Sequence, residues 1–345
     1  MITLFSPAHA GHAPAFEYFR GDKVPCFESP SRAEFVRAAV VAHGHELRRP
    51  HVDSRPLLAT VHTPRYLAFL ETAWAQWVAL DAANADRQPF PSVWPVRTLR
   101  SDIEPDNFTA RLGLYSIDNG TPLAAGTWEA AKAGADAAAS AAALLADGVR
   151  SVFCATRPPG HHAGADFMGG YCVLNNAAVA AAGLRAGGCA RVAILDVDYH
   201  HGNGTQSLFY HRDDVLVVNI HGDPRTEYPF YLGHADETGE GVGDGYTLNL
   251  PLPAGTAAPA WLSALETACD GVARYRADAL VVSLGLDTFV DDPISTFTLQ
   301  TADYTRLGTR LARLALPTIF VLEGGYAAAA LGENAAAVLN GFEHG

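Results

Sequence analysis

Short runs of apolar residues recur along the chain, with alanine-rich stretches between them. The runs occupy residues 2–5, 151–155, 192–195, 215–220, 280–284 and 318–322. They are apolar at consecutive positions, which is typical of strands buried on both faces of a parallel sheet. Alternation with helical stretches favours an α/β fold that has helices on both faces of the sheet. Because the pattern contains neither a repeat nor a flexible linker, we expect one domain over residues 1–345.

The pattern also predicts where helices begin and end. Ser29 precedes Pro30 and Thr63 precedes Pro64, and each pair places a hydroxyl N-cap before a proline in the first helical turn. Residues 127–146 and 176–186 are alanine-rich and end close to glycines, which favour helix termination. These stretches are predicted to be scaffold helices.

Residues 81–122 lack this periodicity and are rich in Pro, Asn, Asp and Trp. A loop of that length in a compact domain is usually functional or part of an interface. Four aromatic residues are expected to anchor it: Phe90, Trp94, Phe108 and Tyr115. We therefore expect an ordered insertion.

Composition narrows the class of protein. A formal net charge of −13 disfavours nucleic acid as a partner, since its phosphates need cationic residues, and it attracts cationic substrates. The sequence shows neither a signal-peptide pattern nor a run of about 18 apolar residues that would span a membrane. The five cysteines are scattered and contain no CxxC pair, which fits reduced thiols. We expect a cytoplasmic protein that has no membrane partner.

Acidic and imidazole side chains follow the third apolar run, in LDVDYHHGNGTQ (residues 195–206). Asp196, Asp198 and His200 recur with a period of two, which places them on one side of an extended segment. Asp287 follows the run at residues 280–284 in the same way. Carboxyl ends of parallel strands meet at one edge of a sheet, and carboxylate and imidazole ligands suit zinc. Since the carboxylates would repel one another without a cation, a metal site is favoured over a polar strand end.

Two other strand ends carry groups suited to amide hydrolysis. SVFCATRPPGHHAG contains His161 and His162, which can take up a proton near neutral pH and return it to a leaving amine. The run at residues 318–322 leads into EGGY, where two glycines allow a sharp turn. Tyr326 then becomes a candidate donor of a hydrogen bond to a developing oxyanion.

Several of these segments resemble, in order, motifs of the histone deacetylase and acetylpolyamine amidohydrolase family: RPPGHHAG, GGYCVLNNAA, LDVDYHHGNGTQ, HGDP, SLGLDTFVDDP and LEGGY. PCFESPSRAE and HTPRYLAFLETAW extend the resemblance over nearly the whole chain, and the acetylpolyamine branch is the nearest likeness. The resemblance implies the arginase-deacetylase fold, with a central, mainly parallel sheet of about eight strands and helices on both faces. It also implies one Zn²⁺ per chain, together with structural K⁺.

The resemblance implies a role for individual residues. Zinc is bound by Asp198, His200 and Asp287. His162 is the general base and acid, and His161 is its electrostatic partner, oriented by Asp196. Tyr326 polarises the acetyl carbonyl. The implied substrate contacts are Gly170, Tyr171, Tyr228, Glu104 and Asp118. The implied potassium positions are Asp196, Asp198, His200, Asn219 and Ile220, and for a second site Phe209, Arg212 and Val215.

Two departures from family patterns concern single positions. Asn203 stands where many histone deacetylases have Asp, although the acetylpolyamine branch also has Asn there. The resemblance also implies that residues 81–122 correspond to an insertion of the acetylpolyamine branch, which in that group contributes to a homodimer interface and narrows the active-site entrance. Asp102 and Glu104 are candidate ammonium ligands in this insertion. Glu104 matches one acidic residue of that insertion in the acetylpolyamine branch, whereas the second acidic residue of the branch is replaced here by Gly120.

The predicted function is zinc-dependent removal of the acetyl group from acetylated polyamines such as acetylputrescine, acetylcadaverine or acetylspermidine. Acetyl-lysine in proteins, or another small acylated molecule, is an alternative substrate. A further alternative is a ureohydrolase with two manganese ions, which would need His and Asp ligands for a second ion in addition to those found here. The last alternative is a non-enzymatic sensor of metals or amines, which would require that the catalytic side chains be displaced from working positions.

Overall fold

Eight parallel strands form one central sheet in a computed structural model, which describes residues 1–96 and 98–345. The strands, in chain order, are β1 (Ile2–Leu4), β2 (Glu17–Phe19), β3 (Asp22–Val24), β4 (Glu46–Arg48), β5 (Ser151–Cys154), β6 (Val192–Asp196), β7 (Val215–Gly222), β8 (Thr247–Leu252), β9 (Ala279–Leu284) and β10 (Thr318–Leu322). The sheet order is β4-β1-β5-β10-β9-β6-β7-β8, and every neighbouring pair is parallel. The remaining strands, β2 and β3, form a separate antiparallel hairpin.

Helices connect the strands and cover the sheet. They are α1 (Pro30–Ala42), α2 (Arg55–Val61), α3 (Pro64–Leu80), α4 (Phe108–Leu114), α5 (Thr127–Ala146), α6 (Asn176–Ala186), α7 (Asn203–Phe209), α8 (Ala258–Tyr275), α9 (Thr301–Ala312) and α10 (Ala328–His344). Both proline-marked helix starts are confirmed. The Thr63 hydroxyl accepts a hydrogen bond from the Tyr66 amide, as predicted, whereas the Ser29 hydroxyl lies 2.8 Å from that of Ser31 and makes no capping hydrogen bond. No helix in the described ranges combines the length and the apolar character that crossing a bilayer requires.

Side chains of the central strands alternate between two cores, one on each face of the sheet. In β6, Val192 and Ile194 pack with the alanine-rich helices α5 and α6, whereas Ala193 and Leu195 pack with Trp261 of α8. All four are fully buried, which explains why the central strands are continuously apolar. The predicted α/β architecture with helices on both faces is confirmed.

Strands β4 and β8, which were not predicted individually, form the two edges of the sheet. Every residue of β4 is exposed, and the sequence Glu-Leu-Arg contains no apolar run. In β8, buried and half-buried positions alternate over the first four residues, and the strand then includes Pro251. Edge strands are commonly short, polar or interrupted by proline, which limits pairing with other chains.

The insertion at residues 81–122 is more regular than its composition predicts. It contains a short 3-10 helix (Ala82–Asp86) and α4, whose N-cap Asn107 accepts a hydrogen bond from the Ala110 amide. Phe108 and Tyr115 are buried and anchor the segment as expected. Trp94 is 36% exposed, so the prediction that it acts as an anchor was wrong.

Candidate active site

The loops that follow four adjacent central strands converge at the carboxyl edge of the sheet. These strands, in spatial order, are β5, β10, β9 and β6. Their loops supply His161 and His162, Tyr326, Asp287, and Asp198 and His200, respectively. Parallel pairing therefore brings together residues that are far apart in sequence, at the edge where ligands bind in α/β sheets.

Asp198, His200 and Asp287 form a group able to hold a metal ion. One ligand atom from each lies within 4.8 Å of those of the other two. The His200 Nδ1 atom is 2.9 Å from Asp287 Oδ2 and 3.3 Å from Asp198 Oδ1. Both carboxylates are buried, and His200 is nearly so.

Backbone amides fix the orientation of the two carboxylates. Asp198 Oδ2 accepts a hydrogen bond from the Gly324 amide at 2.8 Å, and Asp287 Oδ1 accepts one from the Tyr199 amide at 2.7 Å. A Cβ atom at Gly324 would lie 2.6 Å from Asp198 Oδ2. Glycine is therefore required for the loop after β10 to approach the group.

The electrostatics of this group fit a bound cation. Burial, together with the neighbouring Asp198 charge, raises the pKa of the Asp287 carboxyl to about 8. Burial alone would lower the pKa of His200, yet hydrogen bonds to Asp198 and Asp287 raise it to about 10. Two buried carboxylates thus compete for positive charge. A divalent ion that prefers carboxylate and imidazole ligands satisfies them.

The adjacent histidines have different partners. His161 Nδ1 is 2.9 Å from Asp196 Oδ2, and His162 Nδ1 is 2.6 Å from Asn203 Oδ1. Burial lowers the pKa of His161, but the Asp198 and Asp196 charges outweigh burial and raise it to about 10. Burial and repulsion from His161 and His200 hold the pKa of His162 well below its ordinary value.

Glu323 fixes the loop that carries both histidines. Its Oε2 atom accepts hydrogen bonds from the backbone amides of Gly160, at 2.6 Å, and His161, at 3.1 Å. The carboxyl is fully buried, and burial raises its pKa to about 7. Glu323, which was not predicted as a site residue, connects the loop after β10 to the loop after β5.

A cavity of about 520 Å³ opens beside these groups. The predicted residues that line it are His162, His200, Tyr326, Gly170, Tyr171, Tyr228 and Asp118. Its other lining residues come from the β2–β3 hairpin, from the segment around Tyr228, and from Asn119, Gly120 and Ile294. The structure therefore brings histidines, a metal-binding group and aromatic walls to one cavity.

The cavity walls are held by specific contacts. The Tyr171 hydroxyl donates to Glu17 Oε1 at 2.8 Å, and the Tyr228 hydroxyl donates to Asp118 Oδ2 at 2.6 Å. Gly170 has a φ of +51°, and a Cβ atom there would lie 2.3 Å from His162 Cδ2. Glycine thus allows the chain to pass directly against the histidine.

Buried polar contacts hold the loop that carries Tyr326. Asp292 Oδ2 accepts from the Tyr326 amide at 2.7 Å. Arg32 donates to the backbone carbonyls of Gly325 and Glu323, both at 2.6 Å, and its guanidinium lies 4.8 Å from the centre of the Tyr326 ring. These contacts fix the position of the tyrosine before any substrate binds.

Two predicted substrate contacts are not part of this cavity in a single chain. Glu104 accepts from the Tyr115 hydroxyl at 2.8 Å and pairs with Arg111 at 3.4 Å. Asp102 is exposed and pairs with Arg100. Neither carboxylate is among the lining residues.

The residues predicted for potassium fall on two neighbouring stretches. Asp196, at the carboxyl end of β6, is the register partner of Asn219 within β7, and Ile220 follows Asn219 in the same strand. Phe209 ends α7 and Val215 begins β7, while the Phe209 carbonyl accepts from the Arg212 amide at 3.0 Å. Asp198 and His200 lie in the loop that follows β6.

The described residues contain a second group within metal-binding distance: His161, Cys172 and Glu323. Its His161 Nδ1 and Glu323 Oε2 atoms are already hydrogen-bonded to Asp196 and to backbone amides. The Asp198 group, which faces the cavity through His200, is therefore the better candidate.

The histone deacetylase domain model matches residues 26–342. This chain belongs to the histone deacetylase family. Acetylpolyamine amidohydrolases 2 and 1 of Pseudomonas aeruginosa are 51% and 50% identical to it, over 99% of this chain and 99% of each relative. The acetylpolyamine amidohydrolase of Mycoplana ramosa is 43% identical over 99% of both chains. The predicted family is confirmed.

Solved structures of this family share the fold over the whole chain. The acetylpolyamine aminohydrolase from Burkholderia pseudomallei has a TM-score of 0.94 at 39% identity, covering 100% of this chain and 99% of that one. The HDA15 HD domain has a TM-score of 0.81 at 25% identity, covering 100% and 91%. The arrangement of the sheet and its helices is therefore a histone deacetylase fold.

Proposed function

We propose that this protein is a zinc-dependent amidohydrolase that removes the acetyl group from acetylated polyamines, giving acetate and the free amine. The observation that carries the proposal is the convergence of Asp198, His200 and Asp287 with His162 and Tyr326 at one cavity. The chain also matches relatives named acetylpolyamine amidohydrolase over its whole length. Family and geometry thus support the same reaction class.

Asp198, His200 and Asp287 would hold the zinc ion. When bound, zinc supplies Lewis-acid polarisation of the acetyl carbonyl and lowers the pKa of water. Two carboxylates and one imidazole balance its charge and leave coordination positions open, as a catalytic site requires.

His162 is the group that moves the proton. Its Nδ1–H donates to Asn203 Oδ1, so the lone pair is on Nε2, which takes a proton from the attacking water. The depressed pKa of His162 keeps Nε2 unprotonated at neutral pH. The same nitrogen then returns the proton to the departing amine. His161, held by Asp196, adds positive charge beside it.

Tyr326 and Gly170 orient the acetyl amide. Burial keeps the pKa of the Tyr326 phenol well above its ordinary value, so its O–H remains available to donate to the carbonyl oxygen as negative charge develops. The Gly170 carbonyl accepts from the substrate N–H. Tyr171 and Tyr228 line the space for a methylene chain, for which aromatic walls are suited.

The insertion at residues 81–122 is proposed to form a homodimer interface beside the cavity. It exposes Val93, Val96, Leu99 and Ile103, each more than half accessible, and exposed apolar patches commonly mark protein interfaces. A second copy of the chain would cover them. The partner's insertion would then narrow the entrance and bring its carboxylates near the substrate.

Structural potassium is proposed at the predicted backbone positions beside β6 and β7. Asp196 and Asn219 lie side by side there, and carbonyl oxygens are suitable ligands for a hard cation. A cytoplasmic location is also proposed. All five cysteines are free thiols, which fits a reducing compartment.

Acetate release from a panel of acetylated amines tests the proposed function. We would compare N-acetylputrescine, N-acetylcadaverine, N1-acetylspermidine and an acetyl-lysine peptide, using zinc-loaded and chelated protein. Chelator-sensitive turnover of the small amines, with a poor rate on the peptide, is expected. A faster rate on the peptide would move the substrate to acetylated protein. Turnover of none of them by zinc-loaded protein would refute the proposed reaction.

A further inference from the structure

Glu17 is a buried carboxylate in the wall of the substrate cavity. It begins β2 and is 2% exposed. Its Oε1 atom accepts from the Tyr171 hydroxyl at 2.8 Å, and its Oε2 atom accepts from the Phe27 amide at 3.2 Å. It lines the same cavity as His162 and Tyr326, so its charge lies at the site where the substrate binds.

The hydrogen-bond partners of Glu17 in the described residues are neutral, and none of the ion pairs found there includes it. Its neighbour Glu28 differs, because Arg32 at 2.9 Å and Arg157 at 2.7 Å neutralise that carboxylate. Arg20 also lines the cavity, but it is exposed and its guanidinium lies over the Phe19 ring at 5.0 Å. Burial raises the pKa of Glu17, which reflects the cost of this uncompensated charge.

Tyr171 is held in an unusual backbone conformation beside this carboxylate. Its φ is +69°, which is rare for a bulky residue and persists only where surrounding contacts enforce it. The hydrogen bond to Glu17 is such a contact, and it connects residues 154 positions apart.

We propose that Glu17 is a specificity-determining residue that selects substrates carrying a positive charge beyond the acetyl amide. The proposal deepens, and rests on, the function proposed above. An ammonium group in the cavity would supply the missing counter-charge, and the interaction is strengthened because water is partly excluded. A neutral substrate of the same shape would leave the carboxylate uncompensated. The enzyme should therefore favour the charged substrate over the neutral one.

A matched pair of substrates distinguishes a role of Glu17 in selecting charged substrates from a role in holding Tyr171 in the cavity wall. N-acetylputrescine carries a terminal ammonium, and N-pentylacetamide has a methyl group in its place. In Glu17→Gln, kcat/KM for acetylputrescine is expected to fall at least about tenfold, whereas that for pentylacetamide changes less than about threefold. Tyr171→Phe removes the hydroxyl and keeps the carboxylate, so both substrates should slow together with their ratio retained.

Glu71→Gln is the charge-matched control, because Glu71 is exposed and pairs with Arg55 at 3.0 Å. It should leave both rates unchanged. Equal loss on both substrates in Glu17→Gln would show a structural role only, and no loss would show no role; either overturns the proposal. If Glu17→Gln does not fold, the two substrates are compared in the wild-type protein, where a higher kcat/KM for pentylacetamide than for acetylputrescine would contradict charge selection. Turnover of pentylacetamide also shows whether the deacetylase reaction itself takes place. Failure of the proposed function can therefore be told apart from failure of charge selection by Glu17.

Discussion

Replacing Asn203 with aspartate is expected to shift the acid limb of the pH–activity profile to higher pH. Asn203 Oδ1 lies 2.6 Å from His162 Nδ1, and both residues are buried. A carboxylate there would interact with the protonated imidazole by about 4 kcal/mol, at a separation of about 4 Å and an effective dielectric constant of about 20. At about 1.4 kcal/mol per pKa unit, that corresponds to about 3 units. The existing hydrogen bond and burial of the new carboxylate offset part of it, so an increase of about 1–2 units is expected.

The direction of the shift follows from which form of His162 is active. Burial and the neighbouring imidazoles depress the pKa of His162 in the wild type, so its neutral form persists to low pH. With a raised pKa, His162 is protonated over more of the acid range, and kcat/KM falls at a pH about 1–2 units higher than in the wild type. Above that limb, activity is retained.

The measurement is kcat/KM for an acetylated diamine across the pH range in which both proteins remain folded and metal-loaded. Asn340→Asp is the matched control, because Asn340 contacts His43 at 2.8 Å on the surface. It adds the same charge without touching the site, and its profile should overlay that of the wild type. An unshifted limb in Asn203→Asp would refute the assignment of His162 as the base.

Three further predictions concern the oxyanion donor, the close glycine and the metal. Tyr326→Phe should lower kcat about 10²–10³-fold with unchanged thermal stability, because the ring keeps its contact with Arg32; near-native kcat would exclude the role. Gly170→Ala should lower kcat/KM about 10²-fold or more, because the added Cβ atom would clash with the His162 ring. The control is Gly148→Ala, where φ is +91° and no atom lies close to the added Cβ, so only stability should fall. Equal losses of activity in the two variants would contradict this prediction. Zinc at about 100 times its dissociation constant should raise the free energy of unfolding of the apoprotein by about 2.7 kcal/mol. Thermal unfolding with and without a chelator measures this effect, and an unchanged melting temperature would argue against a metal bound by Asp198, His200 and Asp287.

The central part of the fold was predictable because its strands are buried on both faces. Residues such as Ile194 and Val281 have apolar residues on both sides in their strands, so these apolar runs stand out from the helices. The edge strands β4 and β8 lack that signature because one side of each faces solvent. Helix α4 was not predicted because polar residues surround it in the sequence, although Asn107 is a recognisable N-cap.

The metal-binding group was predictable because its residues directly follow strands that had been recognised. Asp198 and His200 follow β6 at a regular spacing, and Asp287 follows β9. Glu17 was not predictable in this way. It belongs to a short hairpin outside the main sheet, and its contact with Tyr171 depends on tertiary packing alone. Sequence periodicity carries no information about such a pairing.

The position of β10 also determines when the active site can form during folding. It is the last strand in the chain, yet it pairs between β5 and β9 in the middle of the sheet. Until it is inserted, these two strands expose unpaired edges, and Asp198 lacks its hydrogen bond from Gly324. Such long-range pairing slows folding and leaves edges open to aggregation. We therefore expect the catalytic geometry to form only when β10 has paired with both β5 and β9.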